Sequence, residues 1–268
     1  MLSSLQPDLL ERLGQRIALE GATLRSWQVD DRELLAEGDF AGNVLAPWPN
    51  RLRDGRYRFR GVEYELPVNE PERGTALHGL VLDAAWRPIR RSLHGVTLCH
   101  VLHPQPGYPF KLRLEVTYAL MPAGLTVTLH AANLGTESAP FGAGFHPYLA
   151  EDDLEIPAGT YVPVDERLLP TGAPRPVAGI DEPLDTCFGD LRRDERGLAR
   201  VRVGSVTLWM DRHFDYVHVY TAAGGVAVEP MTCPPDALNS QDGLIVLDPG
   251  ASFTGRWGLC SPRQEEER

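Results

Sequence analysis

Leu112, Leu114, Val116, Tyr118 and Leu120 alternate with Lys111, Arg113, Glu115 and Thr117, and beyond Pro122-Ala123-Gly124 the alternation resumes at Leu125, Val127 and Leu129. A period of two is that of a strand with one buried face, and the proline and glycine between the runs mark a turn, so the pattern predicts a hairpin. Tyr57 and Phe59 against Tyr64 and Leu66 around Gly61 predict a second. Val201 and Val203 against Val206 and Leu208 around Gly204-Ser205 predict a third. Only the stretch 7–15, with Leu9, Leu10 and Leu13, has helical spacing, and it predicts a helix of one or two turns.

With 26 Gly and 23 Pro spread through 268 residues, turns recur too often for long helices, and strand follows strand with no βαβ alternation. The expected fold is therefore all-β, a large antiparallel sandwich or barrel with little helix. There is no internal repeat, low-complexity tract or interior linker, so residues 1–268 read as a single domain. The charge-dense stretch 264–268 reads as a disordered tail.

Composition narrows the partners. Hydrophobic residues make up 43% of the chain and charged residues 24%, proportions that support a packed core. A formal net charge of -11 disfavours nucleic acid and anionic membranes and suits a neutral small molecule. No run approaches the roughly 20 apolar residues needed to cross a bilayer, and the N-terminus lacks the basic-then-apolar order of a signal peptide, so a cytoplasmic location is expected. Cys99, Cys187, Cys233 and Cys260 are scattered without a C-x-x-C pair, which predicts reduced, mostly buried thiols.

Four segments carry groups capable of chemistry. In the segment 47–53, Pro47 and Pro49 stiffen the backbone ahead of Asn50 and Arg51; this suits polyol hydroxyls, and equally an ordinary turn with a solvated arginine. His78 sits among apolar residues and precedes Gly79, which permits close approach of another group; a satisfied core histidine has the same signature. Pro147 forces His146 into an extended conformation, so His146 and Tyr148 project from one strand face, and Gly142 and Gly144 mark either a ligand cleft or a bulge. Glu229 ends the apolar run 226–228 and is held extended by Pro230; a carboxylate there needs a partner or a raised pKa useful to a base.

Spacing does not bring these segments together, but their order does suggest a family. Gly21-Ala22-Thr23-Leu24, Asn50-Arg51, His78-Gly79, His146-Pro147-Tyr148, Glu229-Pro230 and Leu247-Asp248-Pro249-Gly250 resemble the aldose 1-epimerase (galactose mutarotase) family over nearly the whole chain. The resemblance implies a large antiparallel β-sandwich with a sugar cleft on one sheet, and conversion of α and β anomers of a free aldohexose such as galactose or glucose. It implies that Glu229 takes the proton of the anomeric hydroxyl, that His146 protonates the ring oxygen, and that His78 supports His146. It further implies that Asn50, Arg51 and Asp185 hold the remaining hydroxyls beside Tyr148, with Phe214 at a substrate-contacting position. No metal or nucleotide cofactor is implied; the partner is a small-molecule sugar.

Thr75 departs from the family's frequent asparagine before the Ala-Leu-His-Gly motif, and the chain is shorter than many members. Three other readings remain open at this point. Arg51, Arg53, Arg56, Arg58 and Arg60 would suit a hexose 6-phosphate, although alternation puts Arg56, Arg58 and Arg60 on an outer face opposite Tyr57 and Phe59. Two histidines and a glutamate would suit a metal, although no closely spaced ligand pair occurs. A sugar-binding module of the same fold, without catalysis, is the third.

Overall fold

The longest alternating stretch forms the longest hairpin. Leu112–Met121 pairs with Gly124–Asn133, in register from Leu112 opposite Asn133 to Met121 opposite Gly124. Leu112, Leu114, Val116, Tyr118 and Leu120 are all buried while the residues between them face outward to varying degrees. Gly124 turns the chain at φ +117, where any side chain would strike the carbonyl of Leu259. The structure, a computed structural model, describes residues 8–12, 14–20, 22–179 and 183–261.

Around this hairpin an eight-stranded sheet runs in the order Arg87–Ser92, Gly95–Leu102, Leu112–Met121, Gly124–Asn133, Ser252–Cys260, Val206–Met210, Ala199–Val203 and Leu154–Glu155. A second eight-stranded sheet runs Arg175–Pro176, Ala158–Tyr161, Asp185–Leu191, Tyr216–Ala222, Gly225–Met231, Gly144–Phe145 and Val44–Leu45, with Tyr148–Leu149 also paired to Gly225–Met231. Every strand pair in both sheets is antiparallel.

The sheets close on one another through large apolar side chains. Phe145 of the second sheet meets Trp257 of the first with ring centroids 5.2 Å apart, and both side chains are essentially without solvent contact. The result is the large antiparallel sandwich expected from the period-two pattern. The hairpins Arg56–Phe59 with Val62–Glu65 and Ala199–Val203 with Val206–Met210 form as expected. Arg56, Arg58 and Arg60 lie exposed while Tyr57 and Phe59 are buried. All four cysteines are buried, and no disulfide joins them. Among the described residues, no helix is long and apolar enough to cross a membrane.

The predicted helix over 7–15 is corrected. Asp8–Arg12 is a strand paired with Gln15–Glu20, which in turn pairs with Thr23–Val29. Leucine spacing alone stabilises a short helix weakly, and ladder bonds to a neighbouring strand outweigh it. Gly14 at φ +72 supplies the hairpin turn. The one helix among the described residues is the single turn Ala237–Ser240. The expected tail at 264–268 lies outside the described residues.

Leu129 has no exposed surface and faces the sandwich interior. Leu129→Ala is expected to cost about 2–5 kcal/mol in denaturant unfolding, with the slope against denaturant unchanged. A cost near zero would mean that this strand face is not core.

Candidate active site

The second sheet brings the polar groups together by register. In its two central strands His218 stands directly opposite Glu229, and the next strand outward places Asp185 opposite Tyr220. On the other side the chain breaks at Pro147 between Gly144–Phe145 and Tyr148–Leu149, and the N–H of Val228 donates to the Pro147 carbonyl at 3.0 Å, tying the break to the Glu229 strand. His146 and Tyr148 consequently face one cleft, their rings stacked at 5.2 Å with 20° between planes. Gly142 and Gly144 serve close packing here, against Cys233, Pro49 and Met231, and not against the cleft.

A two-stranded ladder, Arg51–Arg53 with Thr75–Leu77, supplies the opposite wall. Asn50 and His78 flank it, both in the left-handed region, at φ 56 and φ 64. They hold one another. The His78 N–H donates to the Asn50 carbonyl at 3.0 Å, and the Asn50 N–H donates to His78 Nδ1 at 3.2 Å. A side chain at Gly79 would overlap the backbone of Ala46, so the chain passes only as glycine.

That last bond determines what His78 can do. Nδ1 accepts, so in the neutral ring Nε2 carries the hydrogen and is a donor. The ring is neutral because burial, with the nearby His146 and Arg51 adding to it, pushes its pKa well below 6.5. His78 is thus a fixed neutral hydrogen-bond donor.

His146 and Glu229 meet inside the cleft. His146 Nε2 lies 3.3 Å from Glu229 Oε1, with both residues almost completely buried, 5% and 2% exposed. His146 Nδ1 and Glu229 Oε2 have no hydrogen-bond partner within the protein, so each group keeps capacity for another. Burial lowers the His146 pKa, and the Glu229 charge opposes that only in part. The His78 ring meets the His146 ring edge-on at 5.2 Å.

Two further ion pairs frame them. Arg51 donates from Nε and Nη2 to Glu70 at 2.9 and 3.0 Å and keeps Nη1 toward Asp185 at 3.8 Å. It is buried, which sets aside the solvated surface turn. Thr75, at the variant position, spends its hydroxyl on Glu70. Burial acts to raise the Asp185 pKa, but the His218 hydrogen bond at 2.8 Å and the Arg51 charge outweigh it and leave the carboxyl ionised below its usual range.

Asn50, Arg51, His78, His146, Tyr148, Asp185 and Glu229 line one cleft of about 480 Å³. Phe214 does not, and that expectation is corrected. It has no exposed surface and lies between the sheets, its ring 6.4 Å from that of Phe145. The cleft also holds Phe40, Glu70, Arg73 and His218, none of which sequence reasoning singled out. Alternation along the strand Tyr216–Ala222 sets His218 on one face with Tyr216 and Tyr220, and the register that puts it opposite Glu229 comes only with the fold. A larger cavity, about 650 Å³, lies beside Glu151. There Ser205 and Arg32 already hold the Glu151 carboxylate, and no histidine lines the cavity.

The donor atoms of His78, His146 and Glu229 all lie within 4.8 Å of one another, a grouping that invites a metal. The tautomer argues against the fit. For Nε2 of His78 to give a metal its lone pair, the hydrogen must move to Nδ1, and the buried Asn50 N–H then loses its acceptor.

The sequence model of the family described as Aldose 1-epimerase matches residues 11–259. The uncharacterized protein YihR of Escherichia coli K12 is 36% identical over 242 residues, 78% of this chain and 75% of its own length. Galactose mutarotase of Homo sapiens is 29% identical over 298 residues, covering 97% of this chain and 84% of its own. A galactose mutarotase-like protein of Clostridium acetobutylicum superposes with a TM-score of 0.82 at 18% identity, over 92% of each chain. An aldose epimerase homologue of C. elegans gives 0.80 at 19% identity, over 96% and 99%. These structural likenesses bear on the fold.

Stability should carry the mark of the buried histidines. His78 and His146 have lowered pKa values when folded and ordinary ones near 6.5 when unfolded, so the unfolded chain binds more protons below that pH. Stability is then full above about pH 6.5 and declines as pH falls below it, by at most about 1.4 kcal/mol per pH unit for each histidine. Glu70 and Asp185, lowered from 4.5 and 3.8, lose their contribution only at more acid pH. Thermal melts between pH 7.5 and 5 should fall less steeply for His78→Gln than for the parent; equal slopes would contradict a neutral buried His78.

Proposed function

We propose that this chain, which belongs to the aldose 1-epimerase family, is a mutarotase that interconverts the α and β anomers of a free aldohexose such as galactose or glucose. The observation that carries this reading is the His146 to Glu229 contact at 3.3 Å inside a cleft framed by hydrogen-bonding side chains. The anomeric hydroxyl and the ring oxygen are bonded to the same carbon. A base and an acid acting on both must therefore be near neighbours, as these two are.

Glu229 removes the proton of the anomeric hydroxyl while His146 delivers one to the ring oxygen, and the bond between that carbon and the ring oxygen breaks. The product is the open-chain aldehyde. Rotation about the bond between C1 and C2 turns the other carbonyl face toward the ring-closing hydroxyl. Reclosure returns the proton from that hydroxyl to His146 and sends the Glu229 proton to the new anomeric oxygen, so both groups are reset. No metal or nucleotide takes part in this scheme. The depressed His146 pKa makes its conjugate acid a stronger proton donor than an exposed histidinium. His78, fixed as a neutral donor, suits a hydrogen bond beside the ring oxygen without competing for the proton.

Charge supports an unphosphorylated sugar. Arg51 is committed to Glu70, and Arg73 to Glu70 at 3.2 Å and Glu72 at 3.6 Å, while Asp39, Asp185 and Glu229 face the same space. Arg56, Arg58 and Arg60 lie on an outer face, where Glu65 and Asp248 pair Arg56 and Arg60. A phosphate would meet more carboxylate than free guanidinium. The name galactose mutarotase carried by several relatives supports a hexose substrate.

The test is polarimetry or NMR on freshly dissolved α-galactose, α-glucose and α-glucose 6-phosphate. The parent protein is expected to speed equilibration of the free sugars. Glu229→Gln and His146→Gln are each expected to lower kcat by about a hundred- to ten-thousand-fold, and Asp185→Asn to act mainly on KM. Acceleration by the parent that survives Glu229→Gln would remove the carboxylate from the mechanism. Binding of sugar with no acceleration would point to a non-catalytic sugar-binding protein.

A further inference from the structure

Phe40 is 37% exposed, whereas His78, His146 and Glu229 around it are each 5% exposed or less. Its ring does not belong to the hydrophobic core. Its aromatic neighbours are the two cleft histidines: His78, edge-on at 4.9 Å, and His146, tilted at 6.1 Å. The backbone that carries it is strained, because Phe40 has φ +60, a region that a bulky side chain without a local hydrogen bond rarely occupies.

The strain is held in place by bonds to the catalytic strand. The Gly42 N–H donates to the His146 carbonyl at 2.8 Å, the His146 N–H donates to the Asn43 carbonyl at 3.1 Å, and the Asn43 N–H donates to the Phe40 carbonyl at 2.9 Å. Gly38, at the start of the same turn, lies so close to the Tyr148 ring that a Cβ would come within 2.6 Å of it. Left-handed backbone that its surroundings over-determine is where a fold positions a functional group. A half-exposed phenyl ring at the mouth of a hydroxyl-binding cleft offers the apolar surface that a neutral pyranose can cover with its C–H face.

We propose that Phe40 is a substrate-contacting residue: its ring, held over His78 and His146 by the strained turn, stacks on the C–H face of the sugar and shields the acid–base pair from bulk water. The inference rests on the mutarotase reading and adds to it the surface that orients the ring. Its ligand class is a neutral pyranose with an unbroken apolar face.

Phe40→Gly separates this role from a structural one, because it removes the ring and relieves the backbone at once. The expected result is a melting temperature equal to or above the parent's. KM for galactose should rise about tenfold, as loss of an aromatic contact predicts, with kcat changing less and Phe40→Tyr restoring both. The His146 limb of the pH profile should move upward, because burial is the largest cause of its lowered pKa; Glu229, His218 and Asp185 still surround it. A lowered melting temperature with unchanged KM would overturn the proposal and make Phe40 a structural plug. If the parent binds galactose in an NMR titration but does not turn it over, the mutarotase reading fails, and the inference is decided by Kd: about tenfold weaker binding by Phe40→Gly supports it and equal binding overturns it. A parent that neither binds nor turns over galactose or glucose overturns both.

Discussion

A carboxylate buried to 2% of its surface in the middle of a sheet is a liability unless something nearby offsets its desolvation, and Glu229 is that carboxylate. The group set against it is the His146 imidazole, 3.3 Å away. Much of the sheet around them can be understood as the apparatus for keeping those two side chains together. Pro147 breaks the neighbouring strand so that His146 turns inward, and the Val228 N–H fastens that break to the strand bearing Glu229. The remaining desolvation is left in place. It lowers the histidine's proton affinity and leaves the pair with unused hydrogen-bonding capacity on both sides.

The same constraint organises the rest of the cleft. Arg51 cannot be buried alone, so Glu70 meets it in a two-pronged pair, and Thr75 and Arg73 complete the carboxylate's partners. Asp185 has His218 on one oxygen. With one guanidinium arm and one carboxylate edge left over, the wall presents fixed donors and acceptors. Such a surface suits hydroxyl groups better than an ion.

Period-two alternation was sufficient to read the sandwich, because each long strand has one face toward the core: Leu112–Met121 and Gly124–Asn133 could be placed residue by residue. It failed at the N-terminus, where a short leucine spacing fits a helix and a strand equally and only the pairing of Asp8–Arg12 with Gln15–Glu20 decides. At the cleft, the groups that announce themselves by local chemistry were visible. Proline after His146 and after Glu229, and glycine after His78, are local signals. Phe214 was misplaced because an aromatic just before a strand has the same appearance whether it turns into the cleft or between the sheets. His218, Glu70 and Phe40 carry no local mark, since cross-strand register and backbone conformation give them their roles.

Backbone strain connects these observations. Phe40, Asn50, His78 and Asp236 all adopt positive φ at the cleft or directly behind it. Asn50 and His78 offset their strain by bonding to each other, and Asp236 does so through Arg53, accepting its N–H at 3.0 Å. At His78 the compensating bond also fixes a chemical property, because the tautomer is set by the bond that steadies the turn. Phe40 differs, because no side-chain bond repays its conformation and the tie runs instead through the backbone of His146. Hydrogen bonds thus tie Phe40 to His146 and Asn50 to His78, while burial lowers the proton affinity of both histidines.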